Sequence, residues 1–254
     1  MSFDAPFVES GASFILSPDK LDIEVKAVTS DGSAIAVEGC TETTLASGTY
    51  TELHAQGTRV ILKGKITELY CYDNQLTALD VQGLSNLQRL NCGGNQLTAL
   101  DVQGLTALQG LYCHGNQLTA LNVQGLTALR GLYCWDNQLT ALNAQGCTAL
   151  HSLWCYSNQL TELNVQGLTA LQTLVCVGNQ LNADAFTKLF DDLPQRADSD
   201  NAKCVLYTEE SGVSEGNHTD FTAPPDLADA FNNAKTVKKW KMYKWNGSWP
   251  GVEI

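Results

Sequence analysis

The chain is 254 residues long, 44% hydrophobic, with nine cysteines and a formal net charge of −12. This length and apolar content suit one large or elongated folded domain and exclude a disordered chain, and nine cysteines are too few for a disulfide-stapled miniprotein. The acidic balance argues against nucleic acid and anionic membrane surfaces as partners, and no run of about 18 apolar residues exists to span a bilayer.

The opening residues, MSFDAPFVES, hold neither a basic n-region nor an apolar h-region, so no signal peptide is expected in this chain. Residues 1–65 are expected to form an N-terminal β cap. Segments 14–16, 21–28, 34–37, 50–54 and 58–62 alternate or are rich in β-branched residues. Asp31-Gly32 is a hairpin signal between the second and third of these. The last, in TRVILKGK, runs directly into Ile66 and is expected to pair as the strand before the repeats that follow.

Residues 66–181 repeat with a period of 21 and no insertion. The units are ITELYCYDNQLTALDVQGLSN, LQRLNCGGNQLTALDVQGLTA, LQGLYCHGNQLTALNVQGLTA, LRGLYCWDNQLTALNAQGCTA and LHSLWCYSNQLTELNVQGLTA, followed by a sixth that starts as LQTLVCVGNQL and departs. The frame is L-x-x-L-x-C-x-x-N-Q-L-T-x-L-x-V-x-G-L-T-x. In the third unit, Leu108, Leu111, Cys113, Leu118, Leu121, Val123 and Leu126 are the inward positions. One unit buries too little to offset the entropy of ordering it, whereas stacked units share faces and backbone hydrogen bonds. Segment 110–114 is expected as a strand with Leu111 and Cys113 inward and Tyr112 and His114 outward, stacked about 4.8 Å from its neighbours. Segment 119–124 alternates again and is expected as a second extended stretch. Gly83, Gly104, Gly125, Gly146 and Gly167 mark a turn that calls for a positive φ or a tight bend.

Two polar columns recur. Asn74, Asn95, Asn116, Asn137, Asn158 and Asn179 are expected to bond inward to the backbone of the turn and of the adjacent unit. Cys71, Cys92, Cys113, Cys134, Cys155 and Cys176 are expected as buried thiols. In-register Cα spacing would permit a disulfide, but the parallel Cβ atoms stay farther apart than a disulfide prefers, and no C-x-x-C pair offers a zinc site. Cys147 stands at a core leucine position, and Cys40 and Cys204, in the flanks, are expected as free thiols.

This frame resembles the leucine-rich repeat family, and most closely the short-repeat, cysteine-ladder class of internalin-type bacterial surface proteins. The resemblance covers about half the chain, residues 66–181. It implies a leucine-rich repeat solenoid of stacked parallel β-strands, curved or nearly flat, with little helix in the array. It also implies recognition of another macromolecule through the sheet and an exported setting, at a cell surface or secreted.

Residues 182–254 are expected to form a C-terminal α/β cap. Asn182 is an N-cap for a helix whose stripe is Phe186, Leu189, Phe190 and Leu193, stopped by Pro194 and placed to cover the end of the array. KCVLYT (203–208) reads as a strand, 209–223 as a loop, and Pro224-Pro225-Asp226 opens a helix with Leu227, Phe231 and Ala234 on one face. Segment 240–245 reads as a final strand. The stretch WKMYKWNGSWP is expected as a terminal strand with a lysine-blunted edge; a second carbohydrate- or anion-binding site is the alternative.

Within so regular a frame, the outward strand positions carry the functional signal. The residue before each ladder cysteine runs Tyr70, Asn91, Tyr112, Tyr133, Trp154, Val175; the one after runs Tyr72, Gly93, His114, Trp135, Tyr156, Val177. Tyr70, Tyr72, Tyr112, His114, Tyr133, Trp135, Trp154 and Tyr156 are therefore the candidate contact residues, in an exposed aromatic patch of the kind that anchors interfaces. The same rings could stack on sugars, stiffen the sheet by cross-strand packing or lie under a cap. No nucleophile frame, paired-carboxylate cleft or metal-ligand spacing stands out, so no enzyme, cofactor or metal site is expected. The expectation is a non-enzymatic binding module for adhesion or protein recognition. Its partner would be a host or neighbouring-cell protein, without nucleic acid or membrane insertion. A carbohydrate-binding module using the same rings and a structural surface spacer are the alternatives.

Overall fold

A sheet edge presents a row of unpaired backbone N–H and C=O groups, and the N-terminal strands are arranged to cover two such edges. The computed structural model describes residues 5–254; Met1–Asp4, the first residues of the expected N-terminal cap, lie outside the described residues. The chain divides into two compact units, one ending at Asn122 and one running from Val123 to Ile254.

The first unit contains β1 (Gly11–Leu16), β2 (Asp22–Thr29), β3 (Ile35–Glu38), β4 (Thr44–Leu45), β5 (Thr51–His54), β6 (Arg59–Lys63), β7 (Ile66–Tyr70), β8 (Leu76–Asp80), β9 (Arg89–Asn91), β10 (Gly110–Tyr112) and β11 (Ala120–Asn122). β7, β9 and β10 are parallel and in register, with Leu69 beside Leu90 and Leu90 beside Leu111. The outer edge of β7 is covered by β2, antiparallel, with Ala27 opposite Leu69; β5 continues the sheet beyond it. β1 covers β8, the second extended segment of the first repeat, with Phe14 opposite Leu79.

Two expectations about this region are corrected. β6, which leads into Ile66, does not pair with the first repeat strand; it lies between β1 and β3 in the other sheet. The place beside β7 goes to β2, whose alternation buries Ile23, Val25 and Ala27 toward the repeat core. The Asp31-Gly32 turn is not a hairpin, because β2 and β3 belong to different sheets. Gly32 supplies its left-handed backbone (φ 73°), and hydrogen bonds from Ser33 and Lys65 hold the Asp31 carboxyl well below the usual carboxylate range.

The second unit contains β12 (Gly131–Tyr133), β13 (Ala141–Asn143), β14 (Ser152–Trp154), β15 (Thr173–Val175), α1 (Ala183–Asp192), β16 (Lys203–Thr208), α2 (Pro225–Thr236), β17 (Lys241–Trp245) and β18 (Val252–Glu253). β12, β14, β15, β16 and β17 form one parallel run, and β18 closes its edge antiparallel. α1 starts where expected: the Asn182 side chain accepts from Ala185 N at 2.9 Å, and Phe186, Leu189 and Phe190 are buried. Instead of lying over the end of the array, α1 is the crossover between parallel strands β15 and β16, and α2 is the crossover between β16 and β17. The 21-residue period ends at Leu181, but the sheet continues for two more parallel strands. Phe186, Phe190, Phe221 and Phe231 pack together between the crossovers, with ring centroids 5.0–5.6 Å apart. Trp240, just before β17, is buried and donates from Nε1 to Pro194 O at 2.8 Å.

Within each unit the repeats build the expected leucine-rich repeat fold, and both polar columns face inward. Asn116 Nδ2 donates to the carbonyls of Cys92, Cys113 and His114 at 3.0–3.2 Å, and its Oδ1 accepts from Leu97 N at 3.0 Å. Asn158 makes the same set with Cys134, Cys155, Tyr156 and Leu139. This explains why strands expected to span five residues span three. Amides at and beyond the cysteine still bond to the next repeat, as Cys92 N does to Tyr112 O, but the cysteine carbonyl turns to the asparagine. The column is finished by other groups. Asn74 exchanges two hydrogen bonds with the Glu24 backbone, and Asn217, from the loop after β16, accepts from Leu181 N and donates to Cys176 O and Leu206 O.

The nine cysteines are buried and reduced, Cys40 and Cys204 included. Burial pushes the Cys71, Cys113 and Cys155 thiols well up and Cys92 to about 12. Gly104, Gly125, Gly146 and Gly167 share a left-handed turn with φ of 76–80°. Gly83 does not; it is needed because a Cβ there would come 1.8 Å from Val8 O.

Two outcomes follow. Asn158→Ala and Asn217→Ala should each destabilise the fold by about 3 kcal/mol in urea unfolding, since several buried backbone groups lose their partners at about 1–3 kcal/mol each. Gln159→Ala, exposed at the next position, should change stability by less than about 0.5 kcal/mol. A thiol reagent at pH 8 should react slowly with the native protein and reach nine thiols only after unfolding; fast reaction of the ladder thiols would contradict their placement.

Candidate functional site

Strand alternation sends one set of side chains in the second unit to the outward face, and parallel pairing sets them in rows. Tyr133, Trp154, Val175, Val205 and Tyr243 stand side by side across β12, β14, β15, β16 and β17. Val175, Val205 and Tyr243 form a buried cluster, against which Trp154, Tyr156, Val177 and Trp245 pack. Trp135 and Tyr156 follow the cysteines of their repeats and lie stacked, with centroids 5.4 Å apart and planes 5° apart. Trp154 is the centre of the group, 6.0 Å from Tyr133, 5.9 Å from Trp135 and 6.4 Å from Tyr156. Gly131 makes room for this arrangement, since a Cβ there would meet the Tyr133 ring at 2.7 Å. Tyr133, Trp135, Trp154 and Tyr156 are all half-buried. Burial and the nearby Asp136 carboxylate push the Tyr156 hydroxyl up to about 12.

The C-terminal segment adds to this group. Trp249 stacks on Trp154 at 5.1 Å and 21° and is 46% exposed. A cavity of about 200 Å³ opens here, lined by Trp154, Tyr156, Ser157, Val175, Val177, Thr208, Glu210, Val213, Trp245 and Trp249. The loop after β16 forms one wall. It is pinned by Glu215, whose carboxylate accepts from Gly178 N, Thr208 N and Asn217 N at 2.9–3.1 Å, and by Asn217 in the amide column. No local pattern in the sequence marks Glu210 and Val213 as members of this group. Trp245 and Trp249 were legible only as a tryptophan-rich terminal stretch. The signal was present in alternation, which puts Tyr243 and Trp245 on one face, and in the Asn246-Gly247-Ser248 turn (Gly247 φ 85°), which precedes Trp249.

The other candidate residues lie in the first unit. Tyr70 and Tyr72 sit with Tyr50, which the repeat frame did not include, at centroid distances of 6.5 and 6.2 Å from it. Lys26 Nζ lies 5.0 Å from the Tyr70 ring and 5.3 Å from the Tyr50 ring. Tyr70 donates to Glu68, which also pairs with Arg89 at 3.4 Å. Tyr112 is half-buried on β10, and His114 lies over Gly93, where a Cβ would sit 2.5 Å from its ring. Among the described residues no group of His, Cys, Asp and Glu is placed to hold a metal, and no helix is long and apolar enough to cross a membrane.

No protein-family model matches the chain, and no curated protein matches it. Solved structures do. The functional domain of InlJ from Listeria monocytogenes, described as including a cysteine ladder, is 28% identical over 56% of this chain and 39% of that one, with a TM-score of 0.37. The internalin InlF from Listeria monocytogenes str. 4b F2365 is 20% identical over 72% of this chain and 49% of that one, with a TM-score of 0.48. YopM from Yersinia enterocolitica WA-314 is 24% identical over 63% of this chain and 32% of that one, with a TM-score of 0.42. This chain thus spans less than half the length of each. Its leucine-rich repeat architecture and cysteine ladder are read directly from its own repeats and strands.

Trp249→Ala should abolish the exciton-coupled circular-dichroism band of the Trp154–Trp249 pair while lowering stability by about 1 kcal/mol, the usual worth of one aromatic pair. An unchanged band would show that the two rings do not stack in solution.

Proposed function

We propose that the chain is a non-enzymatic protein-binding module whose contact surface is the aromatic face of the second unit. The observation that carries this reading is the half-buried cluster of Tyr133, Trp135, Trp154 and Tyr156, extended by Trp249. Each ring is held by its neighbours and still reachable from outside. Preorganised rings lose little side-chain entropy on binding, and Trp and Tyr dominate the energetics of protein interfaces. Tyr50, Tyr70 and Tyr72 of the first unit, and Tyr112 and His114, are secondary contacts in this reading. The repeat frame's resemblance to exported bacterial surface proteins supports an adhesive or recognition role outside the cell. Burial of all nine thiols is compatible with an oxidising compartment.

The test is a surface-binding screen of the intact chain against cell-surface proteins, matrix proteins and glycans. A Tyr133→Ala/Trp135→Ala/Trp154→Ala variant runs beside it, its fold verified by thiol protection. The expected result is a protein hit weakened at least tenfold in the variant, about 1.4 kcal/mol or more. A glycan hit lost in the variant would select the carbohydrate-binding alternative, a retained hit would move the site away from this face, and no hit would favour the spacer.

A further inference from the structure

We propose that the cavity lined by Trp154, Tyr156, Trp245 and Trp249 takes a cationic side chain, arginine or lysine, presented by the partner protein. The inference rests on the binding reading above and names what the surface selects. Aromatic faces carry negative potential and attract cations, more strongly where water is displaced. A carboxylate beside such rings adds to their negative potential and strengthens the attraction for a cation. Glu210 lines this cavity, and among the described residues its carboxylate has no ion pair and accepts no hydrogen bond, while no lysine, arginine or histidine lines the cavity. Its neighbour Glu209 differs: Lys244 Nζ lies 2.5 Å from it. Asp136, close enough to Tyr156 to raise its pKa, adds a second negative charge to the same face.

The first unit shows the chemistry completed internally. There the Tyr50 and Tyr70 rings carry the Lys26 ammonium at 5.3 and 5.0 Å. The cavity of the second unit has the rings and the carboxylate, but no cation lines it. The cavity's size agrees with one side chain: about 200 Å³ is smaller than the about 300–1,000 Å³ of sites that enclose a whole small-molecule ligand. Its other polar groups are the hydroxyls of Tyr156, Ser157 and Thr208 and the indole N–H groups of its tryptophans, and Glu210 is the one charged side chain in its lining.

The experiment is a tryptophan-fluorescence titration of the full chain with N-acetyl-arginine amide, N-acetyl-lysine amide, the neutral isostere N-acetyl-citrulline amide and methyl glucoside. The expected result is saturable binding of the two cations, at least tenfold tighter for arginine than for citrulline and weakened by salt. Glu210→Gln should erase the arginine–citrulline difference, and Trp249→Ala should weaken both cations. Glu209→Gln, beside the cavity but already paired, should leave them unchanged. Equal binding of citrulline, indifference to Glu210→Gln, saturation by methyl glucoside alone or binding of none of these probes would each overturn the assignment. A carrier protein displaying an arginine peptide separates the two readings. Protein binding that needs Trp154 but is not competed by arginine amide overturns the cation assignment and leaves the binding surface standing. Arginine amide that binds while the displayed peptide does not supports the cation assignment and counts against the protein-binding surface.

Discussion

The structure depends on one side-chain amide per repeat. A chain that returns every 21 residues to lay down another parallel strand must turn, and each turn withdraws backbone groups from the strand ladder. A buried carbonyl or N–H without a partner is costly, so the turn is affordable only if something replaces those bonds. Asparagine does so with both ends of its amide. In Asn95, Oδ1 accepts from Asn74 N and Leu76 N, while Nδ2 serves the carbonyls of Cys71, Cys92 and Gly93. Asn95 and Asn116 in the first unit, and Asn158 and Asn179 in the second, each join their own repeat to the preceding one, so within each unit the column is a vertical seam as well as a turn motif. Cysteine fits beside it because a small, weakly polar side chain fills the core next to the turn without demanding further hydrogen bonds.

The seam has to be started and finished by groups outside the frame. In the first unit the Glu24 backbone on β2 plays the part of an earlier repeat toward Asn74, which fixes β2 rather than β6 as the strand beside β7. In the second unit Asn217 takes the next asparagine place from a loop, although it sits in no recognisable repeat. That anchoring has a functional consequence. The loop that delivers Asn217 also carries Glu210 and Val213 into the cavity, and Glu215 pins it to three backbone amides. A structural requirement of the array thereby builds one wall of the candidate site.

Because the inward positions are committed to packing and to the seam, the outward positions are free to differ between repeats. The two units use them differently. Tyr50 and Tyr70 are joined by a lysine from the cap, and Glu68 is engaged by Arg89 and Tyr70, so charges and rings there are largely matched within the chain. In the second unit the continuation of the sheet into β16 and β17 extends the aromatic rows with valines, Tyr243 and Trp245, and Trp249 stacks back on Trp154. The result is an aromatic face with a cavity at its side whose lining includes the Glu210 carboxylate.

The sequence by itself determined the repeat, its period, the inward and outward positions, the two polar columns and α1 with its cap. These are local or periodic properties, and six aligned copies repeat the same constraint until only one fold satisfies it. Four of the candidate contact residues, Tyr133, Trp135, Trp154 and Tyr156, were legible for the same reason, because alternation around Cys134 and Cys155 fixes which way they point. Tertiary structure alone decided what happens where the period stops. Strand order in the cap depends on which backbone edge each strand covers, and adjacency in the chain misleads there, as with β6 and the Asp31-Gly32 turn. The two helices became crossovers because β16 could still pair in parallel with β15, and β17 with β16. Glu210 and Trp249 reached the site by long-range pairing and loop closure, contacts between distant residues that no local pattern encodes.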